Sequence, residues 1–193
     1  DKYQMKLEIL WFGSYMCGYS VEGYIPEYIV NDPVTYPDLK PDAAFDGWLG
    51  KHYYLKPNTP ALVERESKAL GKMMEAIYNY DNIHNQKHTV IGIQIENEPD
   101  MLATRHNEAH GYTPEQIWPD LIIMLDKLGQ VVKSSPYDCY TRVNQTTTYP
   151  EYLTKSTAIA ITEGIDYVGV DPYENSIQAI DGKLRQLRKI EGN

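Results

Sequence analysis

Along the chain, stretches with a two-residue apolar repeat alternate with stretches whose apolar residues recur every three or four positions. The clearest short-period stretch runs from Val90 to Pro99. Ile91, Ile93 and Ile95 fall on one face, and Gly92, Gln94, Glu96 and Glu98 on the other. Pro99 has no N–H to give to a ladder, so the strand is predicted to stop beside Glu98. Further strands are predicted from about Lys6 to Phe12, Asp138 to Asn144 and Asp166 to Asp171, the last ended by Pro172. In that last strand, alternation gives Val168 and Val170 to a helix layer and Tyr167, Gly169 and Asp171 to an interior.

The longer period marks helices. Thr59-Pro60 offers an N-cap followed by proline at the first helical position. Thr113-Pro114-Glu115-Gln116 repeats the pattern and adds Gln at the capping-box position. Behind the first start, Leu62, Leu70, Met73 and Ile77 form one stripe. Behind the second, Trp118, Leu121, Ile122, Leu125 and Val132 form another. A third helix is predicted from about Pro150 to Glu163, stopped at Gly164. A last one covers Lys183 to Ile190, with Gly192 as candidate C-cap.

Strands alternating with covering helices imply a parallel α/β sheet. A doubly wound open sheet usually carries a Gly-rich phosphate loop, and none is present in this sequence. Strands polar on one face fit a (β/α)8 TIM-barrel type, whose chemistry sits at the C-terminal strand ends. The chain has 193 residues, whereas a complete barrel usually needs about 250. Residues 1–193 are therefore expected to form part of one catalytic barrel domain, with a loop-rich insertion at about 13–58.

Glu98 then becomes a carboxylate at a barrel mouth, preceded by the amide of Asn97. This Asn-Glu pair at a strand end resembles the acid/base signature of the retaining glycoside hydrolases of clan A. Leu10-Trp11-Phe12-Gly13-Ser14, followed by Tyr24-Ile25-Pro26-Glu27-Tyr28-Ile29 and later by Gln94-Ile95-Glu96-Asn97-Glu98, looks like the β-galactosidase-like families thirty-five and forty-two. The likeness spans roughly residues 5 to 175. It implies that the chain covers about strands three to six of the barrel and that it acts on a β-linked sugar, with a β-galactoside favoured.

Retaining cleavage needs a proton donor and a second carboxylate about 5 Å away. By the resemblance, Glu98 is the general acid and then base, and Asn97 binds the hydroxyl beside the anomeric carbon. Glu96, if alternation continues, points inward below Glu98 to bind a sugar hydroxyl or pair with Arg142. Trp11 and Asn144 end their strands, where Trp11 can stack on a sugar and Asn144 can bind one. Tyr173 is similar to the tyrosine that contacts the nucleophile in the clan. Asp171 can bind a hydroxyl or cap the turn at Pro172. Glu163-Gly164 imitates a nucleophile motif, but it follows Glu98 too closely and a strand begins at Asp166 without a helix between. The nucleophile is expected beyond Asn193.

The remaining features narrow the picture. A net charge of −9 without a Lys/Arg stripe argues against a nucleic-acid surface. Seventeen Tyr and three Trp against two Phe suit wet, sugar-facing clefts as well as packing. No apolar run reaches the roughly 18 residues of a membrane span. His106 and His110 are four apart, but Asn107 replaces the Glu of a metalloprotease helix, so no metal and no cofactor is expected. Cys17 and Cys139 are expected to be unpaired, and Asn144 in the sequon Asn144-Gln145-Thr146 to serve the mouth in place of a glycan. The expected partners are a carbohydrate and the remaining barrel segments, from the same precursor or another chain. A secreted, lysosomal or periplasm-like setting is favoured over others without being fixed by any residue. The alternative is a carbohydrate-binding protein, or an inactive fragment, with the same fold.

Overall fold

A computed structural model describes residues 5–11, 13, 26–41, 53–100, 112–145, 158–159, 162–171 and 173–191. The main sheet contains β1 (Leu7–Trp11), β4 (Val90–Asn97), β5 (Tyr140–Gln145) and β6 (Tyr167–Val170). They lie in that order, and every neighbouring pair is parallel. The predicted strands and their order are thus borne out. The architecture is α/β with a four-stranded parallel sheet, compatible with part of a barrel.

Helix α2 (Pro60–Ile83) bridges β1's loop to β4, and α3 (Pro114–Lys133) bridges β4 to β5. Both follow their sequence signals. Thr113 and Gln116 form the full capping box at the start of α3. At α2 the Thr59 hydroxyl instead donates to the Lys56 carbonyl at 2.6 Å, so Pro60 alone marks the start. Leu62 and Leu70 of α2, with Trp118, Leu121, Leu125 and Val132 of α3, are buried against Ile93, Ile95, Val143 and Val168. Burying this apolar layer is the main force holding the helices on the sheet.

Gly129 of α3 lets Gly164 approach so closely that a side chain at either would run into the other segment's backbone. Gly164 also donates its N–H to Asp126 Oδ1 at 2.8 Å. This contact fixes the entry to β6. Helix α4 (Ile177–Glu191) follows β6. The helix expected at 150–163 falls almost wholly outside the described residues; Ala158 and Ile159 are helical, and Glu163 is exposed in the bend before Gly164.

Within the insertion at 13–58 the described parts are the short helix α1 (Glu27–Val30) and an antiparallel pair, β2 (Lys40–Pro41) with β3 (Tyr53–Tyr54). Ile29, Tyr36 and Leu55 from this segment join the same core. Cys139 stands just before β5 without a disulfide, and burial pushes its thiol up to about 11. Cys17, His106 and His110 lie outside the described residues.

Candidate active site

The lower interior face of the sheet is built from polar side chains two residues apart. Glu8 of β1 accepts from Arg142 of β5, Nη2 to Oε1 at 2.5 Å and Nε to both carboxylate oxygens at 2.8 Å, and its Oε2 accepts from the Tyr140 hydroxyl at 2.5 Å. Gly92 of β4 makes room for the Tyr140 ring, which a side chain there would strike. The Arg142 hydrogen bonds hold Glu8 below the usual carboxylate range. Arg142 therefore belongs to Glu8, and the expected pairing with Glu96 is corrected.

One layer higher, amides knit the strand ends together. Asn144 Oδ1 accepts from Gln94 Nε2 at 2.6 Å and from the Glu98 backbone N–H at 3.2 Å. Its Nδ2 donates to Asp171 Oδ2 at 2.7 Å and to Asn97 Oδ1 at 3.2 Å. An amide has two donors and two lone pairs, so Asn144 is saturated by protein groups. It is buried as well. It lies at the C-terminal end of β5, where its bonds orient Asn97, Glu98 and Asp171 and leave it little to offer a sugar. The same burial disfavours a glycan at this position.

Glu98 sits at the rim of this layer, buried, and the Tyr173 hydroxyl donates to its Oε1 at 3.2 Å. Tyr173 is otherwise 79 % exposed, so its ring stands open to solvent beside Glu98. The structure thus brings Glu98, Asn97, Asn144, Asp171 and Tyr173 to the common C-terminal end of β4, β5 and β6.

Two expected site residues go elsewhere. Between Gln94 and Asn97 the register with β5 slips by one residue, because Gln94 faces Arg142 while Asn97 faces Asn144. Glu96, with φ 58°, is the extra residue of this bulge. Its carboxyl leaves the interior face for the end of β1, where Oε1 accepts the Gly13 N–H at 3.2 Å. It is fully buried there, and Oε2 has no hydrogen-bond partner among the described residues. Burial first, then the charge of Glu66 on α2, push Glu96 well above its ordinary range, against the Gly13 N–H. A direct sugar contact by Glu96 is corrected on this geometry.

Trp11 shares its strand face with Ile9, and both pack on the helix-side core. Its indole N–H is buried without an acceptor among the described residues. It does not face the mouth, so its stacking role is also corrected.

Sequence reasoning passed over three contributors. Gln94 spends its amide on Asn144, Asn97 and the Glu96 carbonyl. Glu8 lies in β1 outside every motif that the sequence offers. Glu66 is buried on α2 four residues from both Leu62 and Leu70, and a charged residue on an apolar stripe was the signal available. Among the described residues no group of three or more His, Cys, Asp or Glu could hold a metal ion, and no helix is long and apolar enough to cross a membrane. Compared with family models the chain matches none, and a comparison with curated proteins likewise returns no match.

Proposed function

We propose that this chain supplies the acid/base side of a retaining glycoside hydrolase acting on a β-linked sugar, with β-galactosides as the first substrate class. The observation that carries the reading is Glu98 itself. It is a buried carboxyl at the C-terminal end of a central parallel strand, bonded to a mouth-edge tyrosine and backed by an amide layer. Parallel α/β sheets place their reacting groups at that end.

In this reading Glu98 protonates the leaving oxygen and later takes a proton from the attacking water. The Tyr173 hydroxyl donates to one carboxyl oxygen and fixes the direction of the group. Asn97 binds the neighbouring sugar hydroxyl, and Asp171, oriented by Asn144, meets a further one. The nucleophilic carboxylate comes from a strand completing the barrel.

The test is Glu98→Gln in whichever assembly turns over substrate. Loss of kcat/KM should be large for alkyl galactosides, whose leaving groups need a proton, and small for dinitrophenyl galactosides, which do not. Equal losses on both, or none, would remove the assignment.

A further inference from the structure

Glu96 is the feature this mechanism leaves unused. A carboxyl buried without full hydrogen bonding opposes folding, and an aliphatic residue would suit its surroundings. Glu66, from the opposing helix, is buried nearby, at a place between Leu62 and Leu70 where the helix buries its apolar stripe. Gly13 is wedged against both. Its N–H meets Glu96 Oε1 at 3.2 Å, and a side chain added to it would strike the Glu66 carboxyl. The same place in β4 carries left-handed backbone at two non-glycine residues, φ 58° at Glu96 and 52° at Glu98. Such backbone persists only where its surroundings hold it.

The consequence of the bulge is directional. Regular alternation from Gln94 would turn Glu96 and Glu98 inward and Asn97 out towards the helices. With Glu96 drawn aside, Asn97 instead stands opposite Asn144, and the Glu98 N–H reaches Asn144 Oδ1. We infer that Glu96, latched to Gly13 and packed with Glu66 beneath the rim, is a positioning residue whose bulge aims Asn97 and Glu98 into the mouth. The catalytic consequence rests on the proposed glycosidase reading; the conformational one does not.

The experiment compares wild type, Glu96→Gln, Glu96→Leu and Gly13→Ala by residue-resolved amide exchange and, in the assembly that turns over substrate, by steady-state kinetics on an alkyl β-galactoside. Glu96→Gln keeps an acceptor for Gly13 and should exchange and turn over like wild type. Glu96→Leu keeps the bulk without the acceptor, and Gly13→Ala crowds the latch without touching Glu96. Both should speed exchange at Glu98 by about tenfold or more. They should also lower kcat by about 10²-fold with KM little changed, as expected for a misaimed acid. If Glu96→Leu does not fold, Gly13→Ala and Glu96→Gln decide. Unchanged exchange at Glu98, faster exchange with undiminished kcat, or release of Glu98 in Glu96→Gln would each overturn the inference. If wild type shows no turnover even in an assembly that completes the barrel, the glycosidase reading fails, and exchange alone still decides the latch.

Discussion

The Glu98 backbone N–H donates to the side-chain oxygen of Asn144 at 3.2 Å, so the end of β4 is tied to β5 through one saturated amide. Replacing Asn144 by Ala removes four hydrogen bonds at once. It takes from the Glu98 N–H its Asn144 acceptor and from the Gln94 amide the shortest of its three hydrogen bonds. The expected loss is about 1–3 kcal/mol for a buried group left without its partner, read as a lower urea midpoint at unchanged m-value.

The interior Glu8–Arg142 pair should govern part of the acid limb of stability. The Arg142 hydrogen bonds lower Glu8 in the fold. Its contribution is therefore present above the ordinary carboxylate value of 4.5 and is lost as pH falls through the lowered folded value. Glu8→Gln should reduce stability at neutral pH and flatten the decline below 4.5. A mutant melting profile parallel to wild type across that range would refute this.

Glu96 should act with the opposite sign. Its carboxyl is raised in the fold, so its contribution is complete below the usual 4.5 and is lost as pH rises through the folded value. Glu96→Gln is neutral throughout. Relative to wild type it should gain stability as pH climbs from 4.5 and show little difference below it. Thermal melts of both proteins over that range provide the check.

Alternation along Val90–Ile95 and Val168–Val170 was enough to read the four parallel strands and their order, because each strand buries an aliphatic face under helices. The same rule, applied to Ile9 and Trp11, puts Trp11 on the helix side, whatever its place at the strand end. The fate of Glu96 was less legible. A bulge inserts one residue without a periodic signature, and what Glu96 meets there, Gly13 and Glu66, comes from elements distant in sequence. The Arg142 partner was hidden for a related reason: by alternation Glu8 and Glu96 both fall on the face of Arg142, and only the register and the bulge give it to Glu8.

The Gly129–Gly164 contact yields a packing test. Gly164→Ala would drive its methyl into the Asp126 carbonyl of α3, and Gly129→Ala would meet the Gly164 carbonyl. Backbone on both sides cannot swing away as a side chain can. Each substitution should destabilise by about 1–3 kcal/mol or more. A control at Gly182 of α4, where an added methyl meets nothing within 4 Å, should not be destabilised. Equal thermal midpoints for Gly164→Ala and wild type would contradict the close approach.

The central claim, that Glu98 is the acid/base of a retaining glycosidase, is tested most directly by Glu98→Ala in the active assembly with an activated aryl β-galactoside and added azide. Without the carboxylate, water attacks the covalent glycosyl-enzyme slowly, whereas azide needs no base. The expected result is turnover accelerated by azide, with β-galactosyl azide of retained configuration as product. Turnover of unactivated galactosides at the wild-type rate, with no azide adduct formed, would contradict it.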